Sequence, residues 1–179
     1  MLKILIPALE MYDEVNQEFF VLPAKELQLE HSLVSISKWE SKWHKPFLHD
    51  DEKTLDEIID YIKCMTITQN VKDEIYTRLT SDNIKAINEY IDDPMTATTF
   101  NDMNKKSGRE IITSEVIYYW MIANNIPMEC QKWHLNRLLT LIKVCTIKNS
   151  PAKKMSRQEI LNRNRALNAA RKKKLNTTG

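Results

Sequence analysis

The sequence predicts a mainly α fold: a compact helical domain of about five to six helices, with a small N-terminal β hairpin or sheet and a basic C-terminal helix. Three observations predict it. Apolar residues recur at helical spacing along most of the chain beyond residue 31. The first thirty residues alternate with period two instead. Only two glycines occur, Gly108 and Gly179, and scarce positive-φ turns disfavour a many-turn β sandwich. At 179 residues the chain is long enough for one hydrophobic core.

Segment by segment, residues 1–31 read as a β element packed on the body, 32–147 as the helical core, and 148–179 as a basic helix or tail whose order is left open. Leu2, Ile4 and Ile6 alternate with their neighbours. A polar break follows around Asp13 to Gln17, then Phe19-Phe20-Val21-Leu22, then Leu27 and Leu29 between polar residues. Such a small sheet needs helices to pack against. Ser32 caps a helix carrying Leu33, Ile36, Trp39, Glu40 and Trp43, stopped by Pro46. Thr54-Leu55-Asp56-Glu57 is a capping box heading the stripe Leu55, Ile58, Ile59, Ile62 and Met65. A short helix near Lys72 to Leu79 and one after Ser81, with Ile84, Ile87 and Ile91 inward, end before Pro94.

Asn101 to Arg109 reads as an exposed loop around Gly108. Thr113 or Ser114 opens the most apolar stretch, a helix expected to be buried on more than one side, with Val116 and Trp120 in the core. Pro127 starts a helix to about Ile147 with Trp133, Leu135, Leu138, Leu139 and Ile142 as its core side. Ser150-Pro151 breaks it, and a second capping box, Ser156 to Glu159, starts a basic helix to about Lys174.

The net charge of +2 conceals an asymmetry. From Lys148 onward there are ten Lys or Arg against one acid, Glu159, so the tail carries +9 and the body −7. No apolar run reaches the roughly 18–20 residues of a membrane span. The N-terminus lacks the features of a secretory signal. Three unpaired cysteines, Cys64, Cys130 and Cys145, point to a reducing cytoplasm.

Chemistry is scarce. The glycine count excludes a phosphate-cradling loop. Cys130 and His134 share helical spacing, but a zinc site needs about four such ligands and no second pair is near. A core cysteine beside a partly exposed histidine is expected instead. Cys145 and His134 stand too far apart on one helix to form a thiol–base pair. The carboxylates of Asp56, Glu57, Asp60, Asp92 and Asp93 read as helix caps or solvated surface. No catalytic residue, cofactor or metal site is expected, and no enzyme.

Binding surfaces are more suggestive. Trp39 and Trp43 lie at i, i+4 on one helix, so they share a face that is either core or a partner-binding anchor. The basic residues Arg157, Arg163, Arg165, Arg171, Lys172, Lys173 and Lys174 admit three readings: a solvated helix, contact with an acidic protein surface, or neutralisation of nucleic-acid phosphates. No aromatics are interleaved to stack on bases, so specific nucleic-acid binding is the weakest of the three.

The stretches His31 to Trp43, Tyr61 to Thr66, Glu115 to Trp120, Gln131 to Leu139 and Asn164 to Asn168 carry a family resemblance. Spanning about Leu27 to Lys174, they resemble tail assembly chaperones of long-tailed siphophages. The resemblance implies a protein of the host cell cytoplasm that coats the tape measure protein, helps recruit the tail tube protein, and is absent from the finished virion. Self-association is compatible with this role. Programmed ribosomal frameshifting is also implied for such families, and the A-rich codons of Lys172-Lys173-Lys174 are where a slip would fall. The alternatives are a structural or adaptor protein of the virion and a nucleic-acid-binding regulator using the basic helix.

Overall fold

One long hairpin and a helical body organise the chain. The computed structural model describes residues 1–14, 16–49, 51–100, 111–150 and 157–175. The loop expected at Asn101 to Arg109, the break at Pro151 and the cap at Ser156 lie outside the described residues. The chain is mainly helical with a small antiparallel β element, as the sequence predicts. It forms two units, Met1–Ile147 and Lys148–Gly179.

Strand β1 (Leu2–Ile6) pairs antiparallel with β4 (Lys25–Leu29), and β2 (Leu9–Asp13) with β3 (Glu18–Leu22). Ile6 pairs with Lys25 and Leu9 with Leu22, so the register runs on unbroken across the gap between the two ladders. Pro7 and Pro23 occupy that gap. Proline has no N–H to give, so one on each strand opens the ladder without inserting or deleting a residue.

The base of the hairpin is built into the body. Ile4, Ile6, Leu27 and Leu29 form its buried face. The free edge of β4 is covered by the chain after the second helix: Ile67 donates its N–H to Gln28 O at 2.8 Å and Glu30 donates to Met65 O at 2.9 Å. These bonds satisfy backbone groups that the two-stranded element would otherwise leave open.

Helix α1 (Leu33–Trp43) begins at the expected cap, where Ser32 and Ser35 satisfy each other's backbone donors. The capping box of α2 (Leu55–Met65) is also present, with Thr54 and Glu57 as its partners. The phase of α2 differs from the expected stripe. Leu55 and Ile58 are exposed, and the inward face is Glu57, Asp60, Tyr61, Ile62 and Met65. Two acids cause the rotation. Glu57 receives Lys45 Nζ at 2.6 Å, and this bond with the cap holds its carboxyl down to about pKa 2. Asp60 accepts the Trp43 indole N–H at 2.9 Å and pairs with Lys42. A paired carboxylate can face inward where an unpaired one could not.

The segment Asp73–Arg78 is a short 3-10 helix. Helix α3 (Ser81–Asp92) follows, capped by Thr80, with Ile87 and Tyr90 buried and Ile84 and Ile91 packed beside them. Helix α4 (Ser114–Ala123) is not buried on several sides, contrary to its apolar composition. Its inward residues are Ser114, Ile117 and Met121, Val116 and Trp120 are only partly buried, and Tyr119 and Ile122 face outward. The helix expected from Pro127 to Ile147 is two elements, a 3-10 helix Met128–Lys132 and α5 (Leu135–Asn149). The break frees His134 to turn inward and leaves Trp133 at the surface under the Arg137 guanidinium. Leu135, Leu138 and Ile142 hold the core as expected. His134, expected to be partly exposed beside the core Cys130, is buried.

In the second unit, α6 (Arg157–Leu175) carries the basic run. Glycine scarcity does not prevent left-handed turns: Gln17, His44, Asn70, Met95 and Asn125 all adopt positive φ. Asn70 and Asn125 tolerate the left-handed region, whereas Gln17, His44 and Met95 accept a steric cost of about 1–2 kcal/mol that glycine would avoid. No helix among the described residues is long and apolar enough to cross a membrane.

Candidate functional site

Beyond the prolines the hairpin leaves the body and becomes an arm. A half-buried strand shows one apolar and one polar face, as β1 and β4 do. The arm breaks that rule. On one face Leu9 pairs with Leu22 and Met11 with Phe20, and on the other Tyr12 pairs with Phe19 and Val21 with Glu10, the one charged residue of that face between the prolines and the tip. Phe19 is 71 % exposed and Val21 63 %. The Tyr12 and Phe19 rings meet at 4.9 Å, so the outer face is an ordered aromatic surface.

Arg78 ties the arm to the body. Its guanidinium donates to the carbonyls of Pro7 and Pro23, the latter at 3.1 Å, one on each strand at the interruption. These carbonyls lack ladder partners because the prolines leave the ladder open, and the arginine supplies the missing donors. Charge is equally one-sided. Between Lys3 and Lys25 no Lys or Arg occurs, while Glu10, Asp13, Glu14 and Glu18 do. At the turn Asn16 donates its side-chain amide to Asp13 at 2.7 Å.

The tryptophan pair, read from the sequence as either core or partner-binding anchor, lies elsewhere. Trp39 is 1 % exposed and donates its indole N–H to Glu57 O at 2.9 Å. Trp43 stacks on it, partly buried and bonded to Asp60. As folded, Trp39 packs α1 against α2 and offers no surface to a partner. The seven basic residues come together on α6, where every described side chain is exposed. At 100° per residue they surround the helix instead of lining one stripe. Trp39 and Trp43 belong to the first unit and the basic helix to the second.

Neither a helical stripe nor a charge run marks the arm in the sequence. Its signal was present in Phe19-Phe20-Val21-Leu22, four consecutive apolar residues in a short strand, which must place apolar groups on both faces.

A second cluster sits at the hairpin base. His31 Nδ1 is 2.6 Å from the Tyr61 hydroxyl, and the His134 ring lies edge to face with that of His31. His134 donates Nε2–H to Tyr90 O at 2.9 Å, and Tyr90 donates its hydroxyl to Glu30 at 2.7 Å. Burial, with the neighbouring His134, pushes His31 down to about pKa 4, and burial pushes the Tyr61 hydroxyl well up. Every ring joins two or more elements here, so the cluster acts as a structural joint. Among the described residues no group of three or more His, Cys, Asp or Glu gathers to hold a metal.

No family model, curated protein or solved structure matches the chain.

Proposed function

We propose that this chain is a non-enzymatic protein-binding chaperone for phage tail assembly, acting in the host cytoplasm. In this reading it holds the tape measure protein, promotes tail tube assembly around it, and leaves before the virion is complete. The observation that supports it most is the arm, apolar on both faces and rimmed by acids. A contiguous apolar surface is a liability to a free protein unless a partner covers it. A chaperone for an aggregation-prone helical client needs that surface, together with charges that keep it dispersed when unoccupied. Helix α6 gives the client a second, oppositely charged contact.

The direct test is co-expression with the tape measure protein. The client should stay soluble with the full chain, and Phe19→Ser/Val21→Ser should reduce its recovery several-fold while leaving the chain folded. Undiminished recovery with that variant and with residues after Ser150 deleted would overturn the reading. Mass spectrometry of purified virions should find the chain missing, which separates this role from that of a virion adaptor. Helix α6 also supports a nucleic-acid reading, against which stands its lack of any aromatic residue. A salt-dependent mobility shift would favour that alternative.

A further inference from the structure

A cleft of about 190 Å³ lies between α2 and α3. Helix α2 lines it with Ile58 and Ile62, and α3 lines it with Ile84, Ile87 and Ile91. The rings of Phe47 and Tyr61, stacked at 3.9 Å, complete the apolar wall. Tyr61 commits its hydroxyl elsewhere, to His31 Nδ1 at 2.6 Å, so its contribution to the cleft is apolar.

Lys53 and Asn88 supply the remaining polar lining, and among the described residues no carboxylate joins them. Lys53 is half-buried, with its ammonium 4.8 Å from the centroid of the Phe47 ring. Lys42, Lys45 and Lys63 each reach an acid on or beyond α2, at Asp60, Glu57 and Asp73. Lys53 reaches none among the described residues, and the Asn88 amide has no hydrogen-bond partner there. A cation drawn partly out of water without a counter-charge is held at a cost, which the Phe47 ring only reduces. An apolar cleft that keeps one cation and one amide unengaged has the composition of a small-ligand site.

We propose that this cleft binds a small organic carboxylate whose apolar body is one aromatic ring or a branched alkyl group. The volume sets the body, since a cavity of about 150 Å³ admits one benzene ring. The donors set the head. One ammonium and one amide N–H₂ match the two oxygens of a carboxylate, whereas a phosphate brings more charge and more acceptors than they can satisfy. The site is independent of the tail-assembly reading, because neither the arm nor α6 lines it.

The test titrates the full chain with 3-phenylpropionate and with 3-phenylpropanamide, its uncharged counterpart, at neutral pH and low salt. Isoleucine methyl resonances report the binding. The acid should bind roughly tenfold tighter than the amide, the scale of one charge-assisted hydrogen bond. The methyls of Ile62, Ile84 and Ile87 should move on saturation with either compound. Lys53→Met keeps the apolar stem and should erase the preference while the amide still binds. Asn88→Leu should weaken the acid several-fold. Ile58→Trp, at the rim, should fill the cleft and abolish binding of both, with the unfolding midpoint reporting that the chain stays folded. Equal affinity of acid and amide, a preference that survives Lys53→Met, or unmoved isoleucine methyls would overturn the proposal. So would an acetylated tetrapeptide with a C-terminal phenylalanine that binds roughly tenfold tighter than the free acid. The occupant would then be the chain end of a partner protein, not a small molecule.

Discussion

His31 and His134 meet edge to face with ring centroids 5.1 Å apart, where the hairpin base, α1 and the start of α5 converge. Leu135 donates its N–H to His31 O at 2.7 Å, so ring contact and backbone bond fasten the same junction. His31 is neutral in the folded chain down to about pH 4, against an ordinary value of 6.5.

The unfolded chain therefore takes up a proton on His31 between those two values and the folded chain does not. Stability from this group is fully present above pH 6.5 and is lost as pH falls toward 4. The loss is on the order of 3 kcal/mol from a shift of this size. Urea unfolding at pH 7 and pH 4.5 should show it in the wild-type chain. His31→Asn should flatten that difference, and an equally steep dependence in the variant would place its origin elsewhere.

Glu40 binds two distant backbone groups with one carboxylate: Phe47 N at 2.8 Å through one oxygen and Ser114 N at 2.8 Å through the other. Ser114 is the first residue of α4, and Thr113, at the cap position, makes no side-chain cap bond. Glu40 thus caps α4 from another helix. Glu40→Gln keeps the shape but turns an amide N–H₂ toward one of the two donors. A cost of about 1–3 kcal/mol is expected, with faster hydrogen exchange at the start of α4.

Alanine substitution tests the observed helix phases. Ile117→Ala, Met121→Ala and Leu138→Ala should each cost about 2–5 kcal/mol, as buried truncations do. Ile58→Ala and Val116→Ala should cost clearly less, since Ile58 is exposed and Val116 only partly buried. Equal losses across the five in denaturant melts would refute the rotation of α2 and α4.

That rotation is not encoded in local sequence. Local chemistry was readable: Ser32, Thr54 and Pro94 lie where the expected helices start and stop, because caps and prolines act within one turn of chain. The alternation of Ile4, Ile6, Leu27 and Leu29 likewise marked the buried face of the hairpin base. Orientation depended on contacts far apart in sequence. Glu57 and Asp60 turn inward only because Lys45, Lys42 and Trp43 arrive from α1 and its exit. His134 turns inward only because Tyr90 and His31 await it. The arm was concealed for a related reason: its apolar residues look like core until the fold leaves them uncovered.

Arg78→Ala should loosen the arm and spare the body. The guanidinium bonds at Pro7 and Pro23 would be lost while the core stays intact. Limited proteolysis should then cut within residues 9–22 several-fold faster than in the wild type, with the unfolding midpoint nearly unchanged. A large fall in global stability would show that the arm and body unfold together.

The proline pair has one more effect. A bare hairpin edge invites a foreign strand to zip along it, and apolar strands stacked this way grow into fibrils. The continuous register sets Pro7 and Pro23 in successive cross-strand pairs, whose backbone groups alternate between facing inward and facing the outer edge, so one of the two withholds its donor from the outer edge. On that strand an accidental ladder that starts on the arm meets a missing donor beyond its five residues. The interruption at the root of the arm thus also limits the ladder that copies of the arm can form with one another.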